Sequence, residues 1–220
     1  HSTGLVVHTR ASSHVAIFNR TSDDGDVLQV KKDGALVGSL GSNAASGVPV
    51  LDISTNSSSG IMRMLTSGSE AMRIDGSQRV LIGSGTAVSV TGGARQFQIE
   101  GTSGVTSSMS IIRNTNNNSG SVISLSKSRG ASDGGVTIVQ ENDVLGELRF
   151  GGADGVDHDS TAAVISAAVD GTPGSNDMPG RLVFSTTADG SNSATERARI
   201  SQDGKIRLGN SGDHVMVDVT

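Results

Sequence analysis

Few stretches of this sequence carry side chains able to do chemistry. The densest is Asp154-Gly155-Val156-Asp157-His158-Asp159, which gathers three carboxylates and an imidazole in six residues. Oxygen-rich loops of this kind suit Ca²⁺. The spacing lacks the twelve-residue register and the closing Glu of an EF-hand, and the plain alternative is a solvated connection between strands. The second stretch is a run of amides, Asn114, Asn116, Asn117 and Asn118, within 114–120. Amides and carboxylates hydrogen-bond sugar hydroxyls, and loops on a rigid scaffold commonly carry binding. Both loops are therefore candidate receptor-binding segments. The third feature is a repeated Glu/Arg pair, Glu70 with Arg73 and Glu196 with Arg199. Asp23-Asp24-Gly25-Asp26 reads as a turn, with Asp and Gly supplying local hydrogen bonds and positive φ.

Catalysis has little to stand on. Paired carboxylates can hydrolyse glycosides, and Glu100, Glu141, Glu147 and Glu196 are the carboxylates available for it. Sugar-cleaving sites usually present aromatic platforms, and this chain has no Tyr and no Trp. No phosphate-binding G-x-x-x-x-G-K-[ST] loop occurs, and no catalytic residue is assigned. The N-x-[ST] matches at Asn19, Asn56 and Asn117 are expected by chance in a chain this rich in Ser and Thr. Recurrence of the Glu/Arg pair in a duplicated segment points to a structural ion pair rather than an acid–base pair. No cofactor is implied.

Composition narrows the class. The 220 residues include 30 Gly, four Phe, three Pro and no Cys, and only 18% are charged. Polarity comes from Ser, Thr, Asn and Gly. The absence of Cys removes thiol catalysis and disulfide staples. Net charge is −5, with no basic cluster, so the electrostatic footprint of nucleic-acid binding is missing. No apolar run approaches the ~18 residues of a membrane-spanning helix, so membrane insertion is not expected. The chain opens on His1-Ser2-Thr3-Gly4, without Met or a signal-peptide pattern, and reads as a piece of a longer protein.

The positioning elements are strands. Short alternating apolar runs recur, each closed by Gly, Asp or Asn, at Val27–Val30, Leu36–Leu40, Met62–Met64, Met72–Ile74, Val80–Ile82, Phe97–Ile99, Ile123–Leu125, Leu148–Phe150, Leu182–Phe184, Ile206–Leu208 and Val215–Val219. Period two over a few residues, bounded by turn residues, is a strand signal. Residues 162–169 are alanine-rich but still alternate and are also expected as strand. Asp33-Gly34 and Asp203-Gly204 predict two-residue hairpins. No window carries a helical period with caps.

The sequence also repeats itself. Residues 70–83 align without gaps to 196–209, and each copy follows an alternating strand at 61–66 or 181–186. Residues 31–41 form a weaker third copy. A looser relation joins 17–30 to 111–125, each with an apolar pair, an Arg (Arg20 or Arg113), a polar loop and a strand. The strand faces are narrow and built from Val, Ile, Leu, Met and Ala. A slender core between close walls suits such residues, and three chains around one axis would form it. Wound chains also give exposed strand edges their partners. A single His facing that axis becomes three imidazoles, enough for a transition metal. His8, His14 and His214 lie in strand-like surroundings where this is conceivable. A surface His is the plain alternative for these and for His1 and His158.

The repeated segments resemble a known family. Residues 70–83 and 196–209 are similar to the E-R-M-R-I-D-S-S-G-N-V-G-I-G module of tailed-bacteriophage tail fibres, common in marine and cyanobacterial phages. Residues 17–42, with Arg20-Thr21, Asp24-Gly25, Lys32-Asp33-Gly34 and Gly38-Ser39-Leu40-Gly41, resemble another fibre module. Leu145-Gly-Glu-Leu-Arg-Phe150, Gly152-Ala-Asp-Gly155, Ala163-Val-Ile165, Asp170-Gly-Thr-Pro-Gly174 and Met178-Pro-Gly-Arg-Leu-Val-Phe184 resemble a third. Together these cover more than half the chain, while 4–16 and 101–109 match less well.

The resemblance implies an all-β, elongated, intertwined homotrimeric β-helix or β-prism shaft with essentially no helix. It divides the chain into fibre modules at 1–45, 46–100 and 101–220, continuous in one shaft. The implied role is a structural part of a virion tail fibre outside the cell, supporting or contributing to host attachment. The implied partners are two identical chains, other tail proteins, and a bacterial surface polysaccharide or protein receptor. Such fibres often continue into a C-terminal chaperone domain that cleaves itself off. No recognisable part of it precedes Thr220, which would then lie either near a cleavage point or at the end of a cut fragment, and both readings stay open. Two other readings stay open: a trimeric tailspike depolymerase acting on surface polysaccharide, and a bacterial adhesin stalk.

Overall fold

The structure, a computed structural model, describes residues 25–42, 51–55, 59–209 and 215–217. Among these residues the regular elements are strands, and there is no helix. Contacts divide the chain into two compact units, His1–Thr86 with Gln96–Ser107, and Ala87–Arg95 with Ser108–Thr220.

The first unit holds two sheets. Gly25–Lys32 (β1) and Ala35–Ser42 (β2) pair antiparallel around Asp33-Gly34. Both turn residues have positive φ, 51° and 81°, a pair whose twist matches that of the flanking strands. Leu51–Thr55 (β3) adds to β2. The second sheet runs Met62–Thr66 (β4), Ser69–Ile74 (β5), Val80–Ile82 (β6) and Phe97–Ile99 (β7), in that order. β4, β5 and β6 are antiparallel neighbours, whereas β6 and β7 are parallel.

The second unit holds a six-stranded antiparallel meander. Its strands are Val144–Gly152 (β8), Ser160–Val169 (β9), Gly180–Thr187 (β10), Ala194–Ile200 (β11), Ile206–Leu208 (β12) and Val215–Val217 (β13). Each pairs with the next in sequence. The alanine-rich stretch at 162–169 lies in β9. Its period-two pattern prevails over the helical propensity of alanine.

The duplication seen in the sequence is a duplication in space. β5–β6 and β11–β12 are matched hairpins. In the first, the Asp75 N–H donates to the Arg79 carbonyl at 3.0 Å and the Gln78 N–H to the Asp75 carbonyl at 2.8 Å. In the second, Ser201 and Lys205 are joined at 3.0 Å, and Gly204 and Ser201 at 2.9 Å. Gln78 and Gly204, the aligned residues, both have positive φ, 64° and 81°. The expected two-residue turn at Asp203-Gly204 is therefore corrected to a five-residue loop, 201–205, with only Gly204 left-handed. The ladder ends at Ile200 and Ile206, so Ser201 and Lys205 belong to the loop.

Both copies also share a bulge. Leu65 pairs with Glu70 but Met64 pairs with Met72, so Ala71 is an extra residue. Ser185 pairs with Glu196 and Phe184 with Ala198, so Arg197 is the equivalent extra residue. In a regular strand, residues three apart point to opposite faces. One inserted residue brings Glu70 onto the face of Arg73, and Glu196 onto the face of Arg199.

The six-stranded sheet is amphipathic, and its apolar face is largely exposed, with Leu125 laid against Gly146. Leu148, Ile165, Phe184, Ala198 and Leu208 stand in one register row, and Gly146, Ala167, Leu182, Ile200 and Ile206 in the next. Leu148 is 54% exposed, Phe184 37% and Leu208 47%. The other face carries Glu147, Ser166, Val183, Arg199 and Arg207. Among the described residues, the buried apolar side chains are Leu81, Val139, Ala168 and Val169. A core of four side chains does not stabilise a domain of this size.

The strand expected at Ile123–Leu125 does not form within the chain, nor does the one implied at 111–125. Ile112, Val122 and Ile123 are 76%, 73% and 65% exposed. Within 109–127 the backbone bonds are an Asx turn, Ser119 N–H to Asn117 Oδ1 at 3.0 Å, and Arg113 donating to the Gly120 carbonyl at 3.4 Å. The alternating pattern is real, but among the described residues no strand pairs with it. The related segment 17–24 lies outside the described residues, as do Asp23, Asp24, His1, His8, His14 and His214.

Candidate functional site

The acidic loop is tied down by its own backbone. Asp154 Oδ1 accepts the N–H groups of Val156 and Asp157 at 2.9 and 3.1 Å, and Oδ2 accepts the Ser160 hydroxyl at 2.9 Å. Asp157 Oδ1 accepts the Asp159 N–H at 2.8 Å. Asp159 reaches a distant segment, where it takes the Ser89 hydroxyl at 2.8 Å and the Gly92 N–H at 3.0 Å. Thr91 N–H donates to the His158 carbonyl at 3.1 Å. The loop thus clasps 89–92, with Thr91 buried beneath it. The N–H donors of Val156 and Asp157, with the Ser160 hydroxyl, hold the Asp154 carboxyl below the usual range. Among the described residues no group of three or more Asp, Glu or His gathers to hold a metal ion. The carboxylate oxygens of the loop accept instead from backbone N–H groups and from the Ser89 and Ser160 hydroxyls.

Beside the clasp lies an open groove of about 790 Å³, with Thr91, Arg95, Leu145, Glu147 and Arg149 in its walls. Arg149 is held by Glu147 at 2.7 Å and Arg95 by the Thr91 carbonyl at 3.0 Å. Sequence reasoning missed this groove, since 89–95 and 144–149 are separated by some fifty residues and are brought together by the clasp of 158–159 on 89–92. The amide run is exposed. Asn117 caps the Ser119 N–H, while the side chains of Asn114, Asn116 and Asn118 stand in solvent. Among the described residues, no hydrogen bond joins the amide run to the acidic loop.

The repeated pairs form forked ion pairs. Arg73 Nε and Nη2 both donate to Glu70, the latter at 2.6 Å. Arg199 Nε and Nη2 donate to Glu196, each at 2.6 Å. Arg73 also caps the Gly85 carbonyl at 2.6 Å. The Arg73 guanidinium holds the Glu70 carboxyl below its ordinary range. Glu147 and Glu196, two of the carboxylates available for hydrolysis, are each occupied by an arginine. Glu196→Gln and Glu70→Gln should each lower the melting temperature slightly, and by similar amounts, because the two sites are copies. Calorimetry of both variants checks this. Loss of a polysaccharide-cleaving activity with unchanged melting would contradict it.

A G-x-S-x-G spacing occurs at Gly130-Ala131-Ser132-Asp133-Gly134, outside the setting of a nucleophile elbow. A nucleophile elbow needs a strand entering and a helix leaving. Here the Ser132 carbonyl accepts the Gly135 N–H at 3.0 Å in an exposed turn, with no strand or helix on either side.

Ionised carboxylates secure the loops at the ends of the meander. Arg129 forks onto Asp143 at 2.6 and 2.7 Å, and Arg181 meets Asp170 at 3.1 Å. The carboxyls of Asp75, Asp143, Asp170 and Asp203 all lie below their ordinary value. The main causes are Arg79, Arg129, the Gln202 N–H and Lys205, in that order. A depressed folded-state pKa adds stability above the unfolded value, about 4. That stability is lost as pH falls through the lower folded value. Melting temperature should therefore be flat from pH 7 to 5 and fall steeply below about pH 4. Melting curves followed by circular dichroism would show it, and a maximum below pH 4 would contradict it.

No family model matches the chain, and no curated protein matches it in sequence. In structure it is similar to the carboxy-terminal domain of the L-shaped tail fibre of bacteriophage T5. The TM-score is 0.56 at 12% identity, over 96% of this chain and 92% of that one. The fold is that of a phage tail-fibre domain. This agrees with the family whose modules the repeats resemble, and with the all-β expectation. Within the tail-fibre fold the duplicated hairpin is the unit most visible in both sequence and space. Among the described residues the three sheets are open, and none closes on itself.

Proposed function

We propose that this chain is a structural component of a phage tail fibre, assembled as a homotrimeric shaft that supports host attachment. The observation that carries this reading is the stretch 109–127. It alternates like a strand, exposes its apolar side chains, and makes almost no backbone hydrogen bonds to the described residues. Backbone groups of ordered segments are nearly always paired, and a strand edge pairs readily with another chain. The largely exposed apolar face of the meander asks for the same partner. Other copies of the chain meet both needs, and the fibre modules that the sequence resembles set the number at three.

The role is scaffolding and adhesion rather than catalysis. The acidic loop and the amide run are the contact surfaces offered to a bacterial surface polysaccharide or protein, each present three times in a trimer. Repetition raises avidity without new contacts. The setting is the virion, outside the cell. Among the described residues no helix is long and apolar enough to cross a membrane. Immunogold electron microscopy with antibody to the chain tests the assignment. Label on the fibres of tailed particles is expected. Label on bacterial surface stalks would overturn it in favour of an adhesin, and turnover of surface polysaccharide by the purified protein would favour a depolymerase.

A further inference from the structure

We propose that Arg207 and the cleft it lines bind a small polyhydroxylated carboxylate, of the kind a uronic-acid unit presents. The duplicated hairpin supplies an internal control. Opposite Arg73 in the first copy stands Leu81, 1% exposed. Opposite Arg199 in the second copy, in the aligned position, stands Arg207. The hairpin itself is therefore satisfied by leucine in this slot. Arginine there sets two guanidinium groups side by side across the ladder, and like charges directly opposite are destabilising. It also leaves Arg207 Nε buried without a hydrogen-bond partner, a further unfavourable term. Architecture does not explain such a residue, but recognition of an anion does.

The local charge balance specifies that anion. Arg181 is paired with Asp170, Arg199 with Glu196 and Lys205 with Asp203. Each pair is neutral, so among the described residues Arg207 remains as one unmatched positive charge, which one carboxylate neutralises. Arginine prefers such planar anions because its donors match both oxygens. The cleft is about 290 Å³ and is lined by Asp170, Ser201, Gln202, Asp203, Lys205 and Arg207. That is room for roughly ten waters at ~30 Å³ each, well beyond what one acidic side chain fills. Its hydroxyl, amide and carboxylate groups are the donor and acceptor types that sugar hydroxyls meet. The site lies within one chain, so its test stands apart from the assembly reading.

The experiment is isothermal titration of the full chain with sodium D-glucuronate, and with D-glucose as the neutral counterpart. Saturable glucuronate binding is expected, with glucose at least about tenfold weaker, the difference of one charge-assisted contact. Arg207→Leu restores the leucine of the first copy, so it should fold and melt no lower than the parent while losing glucuronate affinity about tenfold or more. Arg207→Lys keeps the charge without the planar fork and should fall between. Absence of saturable glucuronate binding, or equal binding by Arg207→Leu, would overturn the proposal. If Arg207→Leu instead lowers the mass of the assembly and the parent ignores glucuronate, the carboxylate belongs to a second copy and the saccharide assignment fails.

Discussion

Leu148→Asp should dissolve the assembly into single chains. Leu148 sits in the central apolar row of the meander, paired with Ile165, and is 54% exposed. If one chain were the complete molecule, this would be a surface change, with an effect within about ±0.5 kcal/mol. If other copies cover the face, each copy loses a buried leucine, worth about 1.5–3 kcal/mol. Each also gains a carboxylate that burial opposes. Over three copies the loss from the leucines alone is roughly 5–9 kcal/mol, or about three to six orders of magnitude in the association constant. Sedimentation velocity should show single chains for Leu148→Asp and the parental assembly for Leu148→Ile. An unchanged sedimentation coefficient for Leu148→Asp would remove this face from the interface.

Gly83→Ala should be strongly destabilising. Gly83 ends β6 with φ +81°, and a Cβ there would lie 2.1 Å from the Glu100 carbonyl oxygen. That carbonyl belongs to the residue whose N–H donates to Ile82 at 2.9 Å, so the clash falls on the β6–β7 junction. A left-handed alanine costs about 1–2 kcal/mol, and forcing atoms into a packed contact adds about 1–3. The sum is roughly 2–5 kcal/mol, at some 2–4 °C of melting temperature per kcal/mol for a chain of this length. Gly68→Ala is the control. It has φ +77° with open space around it, so only the conformational part applies. Equal melting shifts for the two variants would show that the Glu100 contact is not what excludes a side chain.

The parts of the fold that are local in sequence were legible there. Asp33-Gly34 encodes its own turn, because both residues tolerate positive φ, and the β1–β2 hairpin follows. The gapless match of 70–83 to 196–209 carried the hairpin, the loop and the ion pair together. The bulges at Ala71 and Arg197 were hidden, since a bulge leaves no mark on composition. Only the spacing of Glu and Arg at three residues, odd for two groups sharing a strand face, hinted at them. Ile123 and Leu125 show the opposite failure. Their alternation reports a strand, but periodicity says nothing about where the ladder partner comes from. The acidic loop was visible as a cluster of carboxylates, but not what those carboxylates hold. Whether Asp159 faces a metal or the Gly92 N–H depends on a contact across some seventy residues. Arg207 was visible in the alignment as the counterpart of Leu81, and became informative only once Leu81 proved buried.

The central claim is that the chain is completed by two further copies of itself. Light scattering across a size-exclusion peak in native buffer tests it most directly. The account predicts three times 22.2 kDa, about 67 kDa. A stable, monodisperse species of 22.2 kDa would contradict it, because the apolar face of the meander and the backbone of 109–127 would then have to face water.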